Sequence, residues 1–363
     1  MHKLPEPDSK DKKRSLELTK LIQQKIHNQG GGICFSDYMQ LLLYTPELGY
    51  YNSPAIGFGK SGDFITAPEL SELFPRVVAR QIAPTLEKIK NPVILEFGAG
   101  SGKMAAGIIK ELPGLGINIS SYQILETSKH LQTLQHETIS NHAGEFINKI
   151  KWISKLPNKI SGVMLANEAM DAMPVNRFII DKNKTYELMV GPDFKLIKGP
   201  EIKLEMPFML SEYPQGYISE YSNVIPAWVK SIKRSLNQGL ILLIDYGYEN
   251  LEYYHPARTS GSLKCFYKHL AHEDPFWCPG LCDISAHVNF TEIAKVADVC
   301  GFLYQSEFLI YGGITKLFEA SNDLVKRARI SKEIQTLTSP EQMGETIKVM
   351  ALCKNISAPD FML

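Results

Sequence analysis

Residues 93–103, VILEFGAGSGK, place an acid, Glu96, ahead of three alternating glycines, Gly98, Gly100 and Gly102, at the end of an apolar run. Glycines allow positive φ and let backbone pass close beneath a ligand. Three ligand classes suit such a turn. A triphosphate loop needs four residues between its first glycine and a Gly-Lys pair. Counting back from Gly102-Lys103 puts Phe97 at that first position, and Met104 stands where a hydroxyl would hold magnesium. A dinucleotide fingerprint needs a third glycine where this chain has Lys103. Glu96 would repel phosphate and suits a cationic ligand. S-adenosylmethionine, which carries a sulfonium, an ammonium and no phosphate, fits best.

Glu126 closes the next apolar run, SYQILE, and an acid there accepts hydrogen bonds from ribose hydroxyls in nucleotide-binding α/β folds. Asn167-Glu168 and Asp245-Tyr246-Gly247 close two further runs. Ligands of open α/β sheets lie outside the carboxyl ends of the strands. These polar residues therefore fall on one rim, with Glu96, Gly98, Gly100, Gly102, Glu126 and Asn167 as expected cofactor-binding residues.

The elements that position them alternate. Short strands are predicted at VILEF (93), SYQILE (121), KWIS (151), GVMLAN (162) and LILLIDYG (240), separated by helical stretches. That alternation predicts an α/β fold, a parallel sheet covered on both faces. An insertion over 176–235 separates the fourth strand from the fifth, with a hairpin around Asn183-Lys184 and an amphipathic helix at AWVKSIKRSL. GFLYQSEFLIY and GETIKVMALCK read as two last strands, with a helix expected from Thr291 to Gly301. Residues 1–12 read as a loose tail. Helices follow from Arg14 to His27, over FSDYMQLLLYTPELGYY with Ser36 or Asp37 as its cap, and from Ser71 to Ile89. Two domains are expected: a helical cap and lid loop over 1–90, and the sheet domain over 91–363.

Acidic and basic residues balance at 39 each, so no overall positive field draws in nucleic acid. No apolar run is long enough to span a bilayer, which predicts no membrane insertion. The amino terminus lacks a secretory core, and Glu6 and Asp8 argue against a mitochondrial presequence. Six scattered cysteines, at 34, 265, 278, 282, 300 and 353, predict a reduced, cytoplasmic protein. His269, His272, Cys278 and Cys282 lie within zinc-ligand spacing, but the pattern is not a zinc signature and no metal is expected.

Longer stretches carry a resemblance. LGYYN (48), GDFITAPELSELF (62), ILEFGAGSGK (94), NEAMDAMPVNRF (167), LLIDYGY (242), EYYHPARTSGSL (252), DPFWCPGLCDISAHVNFT (274) and GETIKVMALCK (344) resemble the MidA-like class I methyltransferases over almost the whole chain. Pro75 and Asn289 depart from the family's glycine and aspartate. The resemblance implies a Rossmann-like sheet whose last strand is antiparallel. It also implies methyl transfer from S-adenosylmethionine to an arginine of a protein substrate, with a respiratory complex I subunit as one candidate.

A guanidinium stays protonated, so its site must orient it, neutralise it and accept a proton; carboxylates do this best. Glu168 and Asp171 are the expected groups, on one side of a turn if that turn is helical. His287 is a further catalytic candidate, with a structural histidine as the alternative. Asp63 and Thr66, with Glu69, lie on a loop expected to fold over the cofactor, with a structural loop packing Phe64 against the sheet as the alternative. A non-catalytic assembly factor on the same fold is the rival reading, and Lys103 disfavours a dehydrogenase.

Overall fold

The computed structural model describes residues 4–53, 65–319 and 324–359. Its contacts group the chain into two compact units: Ile65–Met170, Trp228–Gly247 and Ile293–Leu363 in one, and Met1–Phe64, Asp171–Ala227 and Tyr248–Glu292 in the other. The grouping differs from a single division at residue 90, because helix Leu73–Glu87 belongs with the large sheet. Its Val77, Val78, Ile82 and Leu86 share one buried core with Ile94, Val163, Leu165, Leu242 and Ile244.

The main path of that sheet runs through seven strands, numbered in chain order: β1 Val93–Phe97, β2 Ser121–Leu125, β3 Ile150–Ile153, β4 Ile160–Asn167, β5 Leu236–Tyr248, β6 Val299–Tyr304 and β7 Ile347–Lys354. Their order is β6-β7-β5-β4-β1-β2-β3. Strands β1 to β5 pair in parallel, and β7 runs antiparallel between β5 and β6, as expected of a class I methyltransferase sheet. The central strands read as near-continuous apolar runs because helices cover both faces. Helix Lys103–Glu111 packs its Gly107 directly on Pro75: a Cβ at that glycine would stand 2.5 Å from the proline ring. The chain winds outward from β1 to β3, then crosses back to β4 on the other side of β1. That reversal opens a crevice at the carboxyl ends of β1 and β4, where α/β folds bind ligands.

The other unit holds helices Ser9–Asn28 and Phe35–Tyr44 and two small sheets. The hairpin expected at Asn183-Lys184 joins Asn176–Asp181 to Lys184–Val190. Lys182 and Asn183 both take positive φ, 51° and 57°, which suits a tight two-residue turn. Its aromatic core gathers Phe178, Tyr213, Tyr217, Tyr253 and Tyr254.

Several expectations are corrected. The tail is helical from Ser9, because the Asp8 carboxylate caps it by accepting from the Asp11 amide at 2.8 Å. The second helix starts at Phe35, one residue before the expected caps. GFLYQSEFLIY is only half strand: β6 ends at Tyr304, where the Glu307 carboxylate accepts from the Tyr304 amide at 2.9 Å and starts helix Gln305–Tyr311. The helix expected over 291–301 is one turn, Phe290–Ala294, with Asn289 Oδ1 accepting from the Thr291 amide at 3.1 Å. Cys300 and Cys353 form a disulfide between β6 and β7, so the all-reduced expectation does not hold. Antiparallel neighbours bring their Cα atoms to 5.8 Å, inside the range a disulfide spans.

Candidate functional site

The glycine turn leaves β1 at the sheet's reversal point. Gly98, Gly100 and Gly102 take φ of 65°, 51° and 92°, values that side-chain-bearing residues rarely adopt. A Cβ at Gly98 would meet Ala169 Cβ, just after β4, at 3.1 Å, and one at Gly102 would meet the Gln135 backbone at 3.1 Å. Close packing on two sides therefore requires these glycines and leaves bare backbone at the crevice. Glu69 ties the turn down from outside: its carboxylate accepts from the Ser101 hydroxyl and from Lys103 Nζ at 2.6 Å. Thr66 precedes the one-turn helix Ala67–Leu70 that carries Glu69, and its carbonyl accepts from the Glu69 amide at 3.0 Å.

Glu126 follows β2 as expected. It is buried, with one carboxylate oxygen accepting from the Ser128 amide at 2.8 Å and the other from Gln135 Nε2 at 3.2 Å. Burial raises its pKa above the ordinary carboxylate value, and hydrogen bonds from Ser128, Gln135 and Thr127 oppose that rise. Glu96 is placed differently from a rim charge. It is 2% exposed, and the Tyr122 hydroxyl of β2 donates to it at 2.7 Å. Burial pushes its pKa to about 7, so near neutrality the acid holds a proton for part of the time.

Asn167 and Glu168 end β4. Glu168 is a non-glycine residue at φ 46°, a strain of about 1–3 kcal/mol that its surroundings hold in place. Its amide donates to the Ile244 carbonyl of β5 at 2.8 Å. One carboxylate oxygen accepts from the Ala67 amide at 2.8 Å and from Asn167 Nδ2 at 3.1 Å. Desolvation first, and the negative field of Asp245 as well, push its pKa to about 8. Asn167 Oδ1 is buried and takes no hydrogen bond from a described residue. Asp245, fully buried on β5, shapes the loop by accepting from the Ala169 and Met170 amides at 3.0 and 2.7 Å.

Residues 168–175 are bends and turns rather than helix, so the helical argument for placing Glu168 and Asp171 on one face does not hold. Asp171 belongs to the other unit, where its carbonyl accepts from the Ala286 amide at 2.9 Å. In that unit the His287 ring lies 5.1 Å from that of Tyr248, the Arg258 guanidinium lies 4.0 Å over the Tyr248 ring, and the His287 amide donates to Ser262 Oγ at 3.1 Å. Asp63 lies outside the described residues. His272 Nε2 and Cys282 Sγ stand 3.5 Å apart, and among the described residues no group of three or more such side chains is placed to hold a metal. A cavity of about 900 Å³ opens on the helix side of the large unit, lined by Arg76, Lys103, Lys110, Glu111, Arg329 and Glu333. Its charges are largely paired with one another, as in Arg76–Glu111, Lys103–Glu69 and Arg329–Glu333, and it offers no ligand-selective chemistry.

Sequence reasoning missed Tyr122, Gln135 and Trp152. Gln135 left a trace: it interrupts an otherwise apolar stripe, Leu131-Gln135-Ile139-Ala143, on the buried face of its helix. A polar residue inside such a stripe needs a partner.

Known proteins fit this geometry. The model of a family of S-adenosyl-L-methionine-dependent methyltransferases matches residues 77–306. The crystal structure of a Burkholderia thailandensis protein bound to S-adenosyl-homocysteine is 34% identical and superposes with a TM-score of 0.92, covering 99% of this chain and 97% of that one. The protein arginine methyltransferase NDUFAF7 of Danio rerio is 28% identical, with 89% of this chain and 83% of the relative aligned. The Drosophila melanogaster homologue is 26% identical, with 98% and 89% aligned. Both relatives are named as mitochondrial proteins, which overturns the cytoplasmic expectation. Among the described residues no helix is long and apolar enough to cross a membrane. The chain belongs to the MidA-like family of S-adenosyl-L-methionine-dependent methyltransferases.

Proposed function

We propose that the chain methylates arginine side chains of a protein substrate. The observation that carries this is Glu168, a strained, desolvated carboxylate at the sheet's reversal point beside the glycine turn. The names of the NDUFAF7 relatives support the substrate class. When bound, S-adenosylmethionine supplies an electrophilic methyl group. Gly98, Gly100 and Gly102 would hold it through bare backbone, Glu126 through a ribose hydroxyl, and Asn167 through its unpaired Oδ1. Glu96 lies behind the turn, held by the Tyr122 hydroxyl. Thr66, just before helix Ala67–Leu70, and by sequence alone Asp63 are further proposed cofactor-binding residues.

A carboxyl group with pKa near 8 is mostly protonated when no cation is present. An arriving guanidinium favours its ionised form by Coulomb attraction, so Glu168 orients the planar cation as a carboxylate. The guanidinium nitrogen would gain the methyl carbon as the sulfonium carbon–sulfur bond breaks to leave S-adenosylhomocysteine, and Glu168 would take the proton the nitrogen sheds. On sequence grounds alone, Asp171 and His287 stay proposed as further catalytic residues. Rate depends on holding nitrogen and carbon aligned at about 3–3.5 Å.

The test uses labelled S-adenosylmethionine and mass spectrometry of proteins from cells with and without this chain. Purified respiratory complex I subunits are the first substrates to assay. Methyl-arginine that appears with wild type and disappears with Glu168→Gln supports the proposal. If S-adenosylhomocysteine binds yet no arginine is methylated in any protein, the enzyme reading gives way to a binding-only assembly factor.

A further inference from the structure

We infer that Gln135, on helix Lys129–Ala143, is the positioning residue that locks Glu126 to the glycine turn and so shapes the ribose subsite. The inference rests on the proposed cofactor reading. Gln135 is fully buried and makes three hydrogen bonds. Its Nε2 donates to the Gly100 carbonyl at 3.1 Å and to Glu126 Oε2 at 3.2 Å, and its Oε1 accepts from Trp152 Nε1 at 2.9 Å.

The orientation of the amide follows from its partners. An indole N–H only donates, while a carbonyl and an ionised carboxylate only accept. The amide oxygen must therefore face Trp152, and both N–H groups must face Gly100 and Glu126. A flipped amide would break all three bonds. The Gln135 backbone also packs against Gly102, at 3.1 Å from where a Cβ would stand, so one residue touches the turn at two of its glycines.

The consequence for Glu126 is geometric. With the Ser128 amide on one oxygen and Gln135 on the other, its plane is fixed at both ends. A carboxylate has about four acceptor positions, and the bonds from Ser128, Gln135 and Thr127 leave about one for a ribose hydroxyl. Without Gln135 the carboxylate turns about its last bond, and the turn and the acid lose their common anchor. Trp152 acts one step further out by holding the amide oxygen.

The experiment is a double-mutant cycle on the full chain, with S-adenosylhomocysteine affinity measured by calorimetry and folding by circular dichroism. Gln135→Leu removes the donors at similar volume, and Glu126→Gln removes the charge. Each single variant should raise Kd about tenfold or more. The double variant should be no weaker than the weaker single, because Gln135 acts through Glu126. If the two penalties multiply, Gln135 does not act through Glu126 and the inference fails. An unchanged Kd in Gln135→Leu also overturns it, while wild-type binding leaves the cofactor reading intact; absence of wild-type binding defeats that reading itself. Should Gln135→Leu not fold, Gln135→Glu keeps the acceptor for Trp152 and replaces the donor by oxygen, and the same cycle applies to it. Trp152→Phe adds a readout: a two- to fivefold rise in Kd is expected, and none in the Gln135→Leu background.

Discussion

Glu168 gives a stability prediction that needs no substrate. Its pKa rises from an ordinary 4.5 to about 8 in the folded protein. Between those values the native state holds the proton more tightly than the unfolded chain, so stability falls as pH climbs through the window. A gap of this size corresponds to at most about 4–5 kcal/mol, at about 1.36 kcal/mol per pH unit. Glu168 is partly exposed, and solvent screening brings this to about 2 kcal/mol. Glu168→Gln keeps an oxygen to accept from the Ala67 amide and removes the titration and the repulsion from Asp245. For a chain of this length, about 2.1 cal/mol/K per residue makes 2 kcal/mol worth roughly 3 °C. Calorimetric melting of wild type and Glu168→Gln at intervals from pH 5 to 8.5 reads this directly. The variant should gain about 3 °C on wild type across that span, with the gap opening between pH 5 and 8. Glu96, with its own pKa near 7, titrates in both proteins and cancels in the difference. A gap that stays flat with pH, or closes as pH rises, refutes the claim that Glu168 is desolvated.

Gly100→Val places a β-branched residue at φ 51° and should abolish S-adenosylhomocysteine binding, read as a loss of the ligand-induced rise in Tm; retained binding would move the cofactor away from the turn. Glu220→Ala leaves Arg177, 3.1 Å away and buried, without its counter-ion, and should lower unfolding free energy by about 3–5 kcal/mol in urea titrations. His287→Asn should leave S-adenosylhomocysteine Kd within twofold while cutting methyl transfer at least tenfold; unchanged turnover would make this histidine structural.

The site was unevenly legible. Strand ends at Glu96, Glu126 and Asn167 could be read because apolar runs and their polar stops are local features. Glu168 could be placed at the end of β4, but its left-handed backbone is held by the Ile244 carbonyl, and its pKa is raised by burial and by Asp245, residues far away in the chain. The spacing of NEAMD left open whether the turn is helical; in the fold it is not, and the Asp245 carboxylate accepts from the Ala169 and Met170 amides. The helix start at Ser9, and the change from strand to helix after Tyr304, were decided by single side-chain caps, Asp8 and Glu307.

Taken alone, the order of amino acids determined the alternation of strands and helices, the run of glycines after the first strand, and the ligand class left once phosphate-bearing alternatives failed. Those are matters of periodicity and spacing, which neighbouring residues settle among themselves. Only the tertiary structure decided that Glu96 is sealed behind Tyr122, that Gln135 joins Gly100 to Glu126, and that Glu168 sits desolvated at the crevice. Such properties come from contacts between residues tens of positions apart and from exclusion of water, and neither exists until the sheet has closed over its core.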